Sequence, residues 1–508
     1  MGEDNSNILT LAKQGGITFF GNILGKILGF LFIMSVTRIV SPSVYGVFTL
    51  GLAIISFTQG IFSLNLYRSI DYFVPKYLKK GAYTKANSTL MTVFSIGLLS
   101  SLIGYTVLVG GSGFLSKIFE EPRLKTVLPL FGIAVPLTVA NQTLVSSYNS
   151  IKMLKFRVYT KNIIQPLAKL LFAVVLVLLG LDIWGIVSAH LFALLLSILS
   201  GVYLLRKSQD WIGEIKLDLE NISELFSYSI PLMFAGIIYA TVGQIDYFVI
   251  GYFMESSDVG IYKVGYSLAV NLLIVLSAIT PVFKPMVAEF SDNRDELKSQ
   301  YQLATRWVAM ATIPISITFI SAPETYLSLF FTSEYAAAGT ALAVLSVGYM
   351  LNASFGPEGM MLEGLGYTRL TLLNTVSLIT INAVLDFILV PQLGITGAAI
   401  GTATALSTAG LLGVLEIYHL KTLHPYSWSL GKAWIAGIPT LGLGIYISDA
   451  VDTRLLLGVT LPVTVVFVYT GLLILLRGFT EADRRVAEKV DDKLGISVFE
   501  RIVSIGES

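Results

Sequence analysis

The sequence predicts an all-α membrane protein with about fourteen transmembrane helices. Three observations carry that prediction: a deficit of charge, a succession of apolar stretches of bilayer length, and a lopsided distribution of Lys and Arg between alternate loops. Of 508 residues, 54% are hydrophobic and 13% charged, about half the charged share of a soluble globular chain. The mean hydropathy is +0.75, so most of the chain is built to face something other than water. The net charge of +1 offers no field for nucleic acid. The chain has no cysteine, which removes disulfides, thiol catalysis and thiolate metal sites together. Acidic residues at Met1-Gly2-Glu3-Asp4 do not suit a cleaved signal peptide, so the first apolar segment is expected to stay as a helix.

A helix needs about 20 apolar residues to cross a bilayer. Such stretches lie at 15–37, 45–66, 88–109, 127–147, 163–181, 184–205, 227–250, 259–280, 304–321, 337–358, 370–390, 396–417, 431–448 and 455–476. Pro129 and Pro136 interrupt the fourth and Gly356-Pro357 the tenth; membrane helices tolerate such breaks, so both are kept. An even number of spans puts both termini on one side. Of 34 Lys and Arg, only Arg38, Lys117, Arg123, Lys125 and Arg454 fall on the other side. Lys26, Lys169, Lys263 and Arg306 fall within spans, and all the rest share the side of the termini. The positive-inside rule makes that side cytoplasmic, and losing one span would scramble the bias.

The chain also repeats itself. SPSVYGVFTLGLA at 41–53 pairs with ESSDVGIYKVGYSL at 255–268, aligning Gly46 with Gly260 and Gly51 with Gly265 at an offset of 214. Asn162, Leu181 and Gly185 match Asn374, Leu393 and Gly397 at 212. Two similar offsets indicate duplication of a six-helix unit, and an even count makes it a parallel repeat of two lobes. The expected organisation is an N-terminal lobe at 1–215, a C-terminal lobe at 216–430, a helix pair at 431–476 and a cytoplasmic tail at 477–508.

Catalysis has little to stand on. The loops reach about 20 residues and the tail about 30, too few for an enzymatic core. No Walker-type phosphate loop is present. His419 and His424 are read as a solvated loop pair rather than a metal site. The chain is therefore expected not to be an enzyme.

Several segments resemble a known family. GKILGF (25–30) with Arg38, Pro42 and Tyr45-Gly46, then QIDYFVIGYF (244–253) with DVGIY (258–262), and above all INAVLDFILVPQLGITGAAIGTATA (381–405), are similar to Wzx-type polysaccharide flippases. These belong with the lipid II flippase and the MATE exporters to the multidrug/oligosaccharidyl-lipid/polysaccharide (MOP) exporter superfamily. The resemblance covers spans 1 to 12, and the last two spans resemble the fourteen-helix arrangement of the lipid II flippase. It implies a flippase in the cell membrane, working by alternating access between lobes. The substrate would be a polyprenyl- or dolichyl-linked oligosaccharide, carried through a phosphate or pyrophosphate from the cytoplasmic to the outer leaflet for surface-glycan or glycoprotein synthesis. Membrane lipids and glycan-assembly enzymes are the implied partners. The alternative is a MATE-like, cation-coupled exporter of amphipathic drugs, which would usually end near residue 430. A polymerase or ligase acting on the same lipids would need a larger outer loop.

A charge at mid-membrane costs at least roughly 2.5–3.5 kcal/mol, so in-span cations are candidates for holding the substrate phosphate. Lys26, one turn beyond Asn22, lies near the middle of the first span, where the resemblance implies a basic cavity residue; snorkelling or a structural carboxylate is the other explanation. Arg68 matches an arginine at the inner end of the lipid II flippase's second helix, or serves the positive-inside bias. Lys169 is a second candidate, and Lys263 is placed to reach headgroups. A separate oxygen-rich set comprises Asp246, Asn382, Asp386 and Thr402, at similar depth on three spans. Oxygen donors suit a hard cation, and the resemblance implies a sodium site on these positions with the Ala398 carbonyl as a fifth ligand. Na⁺, or alternatively H⁺, is the expected coupling ion; a polar cluster joining helices is the other reading. Gln59, His190, Gln244, Glu358 and Glu416, also within spans, are expected mainly to satisfy helix packing.

Overall fold

The computed structural model describes residues 2–213, 217, 222–494 and 499–507. It is all-α: among the described residues the only β geometry is an isolated bridge between Phe479 and Glu507. Among the described residues, fourteen helices are long and apolar enough to cross a membrane. They are Gly16–Thr37, Pro42–Phe62, Tyr83–Ile118, Arg123–Ser150, Leu154–Leu178, Asp182–Ser208, Ile222–Thr241, Ser256–Thr280, Arg294–Ser321, Ser333–Gly364, Thr368–Leu393, Ile395–Lys421, Trp428–Ala450 and Arg454–Leu475. Each overlaps the stretch predicted for it.

The helix starts follow local chemistry. Ser41 caps the second span, its hydroxyl accepting from the Val44 amide at 3.4 Å, with Pro42 in the first turn. Asn293 and Ser427 cap the ninth and thirteenth spans likewise. Such caps satisfy amides that have no partner within the helix.

Three spans are broken. The fourth bends at Gly132-Ile133, between helices Arg123–Phe131 and Ala134–Ser150, rather than at either proline. The seventh, expected as one helix over 227–250, stops at Thr241 and restarts as Ile245–Phe253 after a turn at Gly243, whose φ of +71° favours glycine. The tenth breaks at Gly356, φ +73°, where an added Cβ would lie 1.9 Å from Thr305 Oγ1.

The segment after the second span is not a plain loop. Residues Tyr67–Lys79 form a helix whose Ile70, Phe73 and Val74 join a core with Leu90, Val93 and Tyr148. The chain packs as two compact units, Met1–Gly260 and Ile261–Ser508. The expected lobe boundary at 215/216 falls outside the described residues, except that Ile222–Thr241 packs in the first unit against the second span. In the second unit the last two spans pack against the ninth through a core of Ile313, Ile317, Ala433, Ala436, Leu461 and Val465.

The tail is tied down too. Arg306, on the ninth span, meets Asp483 on helix Glu481–Leu494 at 2.7 Å, the two side chains 5% and 8% exposed. Arg306 also donates to Thr480 Oγ1 at 2.8 Å, and the Trp307 indole donates to Asp483 at 2.7 Å. Asp483 in turn accepts from the Thr480 amide at 2.7 Å and the Thr480 hydroxyl at 3.0 Å, fixing the start of the tail helix. The in-span arginine is thus the buried anchor of the tail.

Candidate functional site

The first unit holds a polar cavity of about 640 Å³, in the range of ligand pockets, roughly 300–1,000 Å³. Its lining can be ordered by depth from the direction of each helix, at about 1.5 Å per residue. At the lysine-rich end lie Arg68, Asp71, Asn149 and Arg157. Lys161 and Ser146 lie one turn farther in. Beyond them come Gln59, Asn141, Gln142 and Gln165, then Leu52, Thr138 and His190.

Local structure explains the cationic end. The second span terminates in two consecutive left-handed residues, Leu64 (φ 50°) and Asn65 (φ 47°). That reversal starts the helix carrying Arg68 and, one turn on, Asp71. Asn65 is pinned there by donating to the Leu232 carbonyl at 2.8 Å. The fifth span opens with Leu154–Arg157 and continues through a π-helical stretch, Val158–Ile164. π turns are rare and concentrate at functional sites; here the stretch carries Lys161 into the cavity. Asp71 accepts from Ser146 Oγ at 3.2 Å. Burial pushes its carboxyl above the usual range, against the opposing pull of Ser146, Arg68, Asn149 and Arg157.

The deeper end is built of amides. Gln59 Nε2 donates to Gln142 Oε1 at 2.9 Å, and Asn141 Nδ2 to Gln165 Oε1 at 3.1 Å. Ser197 Oγ donates to Asn141 Oδ1 at 3.1 Å, behind them. Tyr228, at the cationic end, stacks on Tyr72 at 4.9 Å.

Of the cations singled out in the sequence, the cavity takes Arg68. Lys26 is exposed and outside its lining; Asn22 accepts from Asn162 Nδ2 at 2.7 Å. Lys169 lies 3.9 Å from the Phe32 ring centroid and 5.2 Å from that of Phe48, a pair of rings whose faces stabilise its charge. Lys263, in the second unit, lies 5.9 Å from the Tyr266 ring. The residues missed are Arg157 and Lys161, read as loop cations because the fifth span was expected to begin at 163, and Asp71. Gln59 and His190, expected to serve packing, line the cavity.

In the second unit Asn382, Asp386 and Thr402 come together, 4%, 0% and 8% exposed. Asn382 Nδ2 lies 3.4 Å from Thr402 Oγ1. A Cβ on Gly401 would lie 2.0 Å from Asp386 Oδ1 and 3.4 Å from Asn382 Nδ2, so the glycine leaves the room in which these groups converge. Ala398 is fully buried on the same helix. A carboxylate, an amide oxygen, a hydroxyl and a carbonyl are the donors a hard cation takes. Asp246 belongs to the first unit, 1% exposed in the first turn of Ile245–Phe253.

The opposite end of the first unit is closed by a charged cluster. Arg123 grips Glu121 with Nε at 2.8 Å and Nη2 at 2.7 Å, and donates to Ser43 Oγ at 2.6 Å. Ser256, opening the eighth span, donates to the same Glu121 carboxylate. Beside it Gly46 and Gly260 let two helices touch: a Cβ on Gly46 would lie 1.6 Å from the Ser256 carbonyl oxygen, and one on Gly260 2.3 Å from that of Pro42. Burial raises the Glu121 carboxyl, but hydrogen bonds from Arg123 and Ser256 outweigh it and hold the group below its ordinary 4.5. A lowered carboxyl contributes stability above its unfolded value and loses it only as pH falls through the folded one. Labelling of a thiol introduced by Leu50→Cys, beneath this cluster, taken at each pH relative to the same thiol in the unfolded protein so that the loss of thiolate at low pH cancels, is therefore expected to be equally slow at pH 7.5 and pH 5. Faster labelling at pH 5 would show that the cluster opens on mild acidification.

Residues 35–339, a range that holds every side chain of the cavity, match the polysaccharide biosynthesis protein family. The chain belongs to that family. Among its relatives is a protein of Haloferax volcanii named as a probable low-salt glycan biosynthesis flippase, Agl15. The two are 23% identical over 420 residues, covering 82% of this chain and 84% of the relative. The lipid II flippase MurJ in an inward closed conformation shares the fold with a TM-score of 0.72 at 16% identity, over 91% of this chain and 98% of that one. An inward-facing multidrug MATE transporter of the MOP superfamily follows at 0.64 and 13%, over 78% and 94%. This member of the polysaccharide biosynthesis family is thus a multi-pass membrane protein with a MurJ- and MATE-like fold, and its cavity lies in the part that defines the family.

Proposed function

We propose that this protein is a flippase that carries a lipid-phosphate- or lipid-pyrophosphate-linked oligosaccharide from the cytoplasmic to the outer leaflet of the cell membrane. Both termini are cytoplasmic in this reading, and the protein makes or breaks no covalent bond. The observation that carries it is the cavity's cationic entrance: Arg68, Arg157 and Lys161 against a single carboxylate, Asp71. Three cations outnumbering one anion suit a polyanionic headgroup, and Arg157 offers a planar fork that phosphate oxygens match. The polar depth beyond accommodates sugars while the lipid tail stays in the bilayer. A glycan-flippase relative supports the same assignment. Na⁺, or alternatively H⁺, held by Asn382, Asp386, Thr402 and the Ala398 carbonyl would bias the transport cycle. The lipid is a polyprenyl or dolichyl carrier, and the enzymes that assemble the glycan are the partners that hand it over.

The test is a proteoliposome assay with a short fluorescent lipid-pyrophosphate oligosaccharide, following its exposure to an external glycan-cleaving reagent. Each hydrogen bond to a charged group contributes about 1.5–3 kcal/mol. Arg157→Gln with Lys161→Gln is therefore expected to lower transport at limiting substrate by about a hundred-fold, with membrane expression unchanged. Undiminished transport would remove the cationic entrance from the mechanism. Export of cationic dyes in place of the lipid would favour a MATE-like exporter.

A further inference from the structure

The cavity has two chemical zones, and the second narrows the substrate. Arg68, Arg157 and Lys161 sit at the entrance. One to two turns deeper the lining, among the described residues, carries no carboxylate and no ammonium or guanidinium group, only carboxamides, hydroxyls, aliphatic carbons and the imidazole of His190. Lys169, which neighbours His190, is outside that lining and occupied by the rings of Phe32 and Phe48. The amides are organised in pairs, Gln59 with Gln142 and Asn141 with Gln165. Each carboxamide offers two donors and an acceptor with two lone pairs. A single bond within a pair therefore leaves donors and acceptors on both members. His190 Nδ1 is buried with no hydrogen-bond partner among the described residues, on the wall of the same chamber.

Resting on the flippase reading, we infer that this inner zone selects the sugar next to the phosphate, and that this sugar is uncharged, bearing hydroxyl or N-acyl groups. Once the phosphate is held at the entrance, the first sugar reaches the amide zone. There its hydroxyls and amides complete the hydrogen bonds left over by Gln59, Gln142, Asn141 and Gln165, and one of them serves His190. A uronate or a free amino sugar brings a charge against a wall of amides and hydroxyls, while the cavity's own charged side chains, Arg68, Asp71, Arg157 and Lys161, are engaged at the phosphate, and a buried charge without its own partner is penalised heavily. A site with unspent donors and acceptors also rejects a ligand that cannot satisfy them. A volume of about 640 Å³ takes the phosphate-proximal end of a glycan rather than a long chain, so distal sugars escape this selection.

The experiment measures binding of short-chain polyprenyl phosphates to the full-length protein in nanodiscs. Four probes are compared: no sugar, glucose, N-acetylglucosamine and glucuronate. The glucosyl and N-acetylglucosaminyl lipids are expected to bind at least about ten-fold tighter than the glucuronosyl one. Gln142→Leu is expected to abolish that margin while leaving the sugar-free lipid phosphate bound as before, which also shows the variant folded. Gln142→Arg should turn the preference toward glucuronate. Equal binding of neutral and acidic lipids, or a margin that survives Gln142→Leu, would overturn the inference while leaving the flippase reading intact. If the sugar-free lipid phosphate does not bind, or binds independently of Arg157 and Lys161, the flippase reading fails and takes this inference with it.

Discussion

Asp483→Ala is expected to destabilise the second unit by about 3–5 kcal/mol, the range for removing one partner of a buried ion pair. The pair is nearly dry on both sides. Its loss strands the Arg306 guanidinium and leaves Trp307 and Thr480 without their acceptor. Thermal unfolding of the detergent-solubilised protein, followed by tryptophan fluorescence, gives the readout. The double replacement Arg306→Met with Asp483→Leu should recover the part of the loss that comes from the stranded charge, because two apolar side chains need no partner, while Trp307 and Thr480 stay without their acceptor. A loss under about 1 kcal/mol, typical of exposed pairs, would mean that water reaches Arg306 and that the tail is not anchored by charge.

Gly46→Ala is expected to have the second large effect. The new methyl would collide with backbone, the Ser256 carbonyl oxygen, rather than with a side chain that could turn away. The start of the eighth span must therefore lift from the second, and Ser256 leaves Glu121. Leu50, 1% exposed and packed against Gly251, lies beneath. In a chain without native cysteine, Leu50→Cys reports that opening by itself. Labelling is expected to accelerate at least about ten-fold in the Gly46→Ala background, as for a local opening made easier by about 1.4 kcal/mol. Gly260→Ala should do the same from the other helix, whereas Ser43→Ala removes one hydrogen bond and should act weakly. Unchanged labelling in both glycine variants would mean that the helices cross without depending on bare backbone.

The spans were legible because the bilayer imposes one requirement on every crossing segment: enough apolar length with its backbone bonded internally. One glycine pair that the repeat aligned, Gly46 and Gly260, is found in contact. The irregular backbone was not legible. The π stretch at Val158–Ile164 has no periodic signature, so Arg157 and Lys161 read as loop charges. The turn at Gly243 was hidden in an apolar run because Thr241, Val242 and Gln244 do not break hydropathy. Hydropathy also says nothing about which in-span charges are structural. Lys169 and Arg306 looked alike on paper, yet one is boxed by two phenyl rings and the other paired with a carboxylate far along the chain. The amide chamber was missed for a related reason: Gln59 and His190 are single polar residues on separate helices, and only tertiary packing brings them to one wall.

The Arg306–Asp483 pair also sets a timetable. The two residues are 177 positions apart in the sequence (483 less 306). At about 5–20 residues per second of synthesis, the ninth span enters the membrane some 9–35 s before its counter-charge exists. For that interval the arginine must be tolerated by snorkelling, by lipid phosphate or by the insertion machinery, and the second unit reaches its final packing only after translation has delivered Asp483. A ribosome stalled after the fourteenth span would thus leave a protein with every crossing in place and its ninth helix still unsettled.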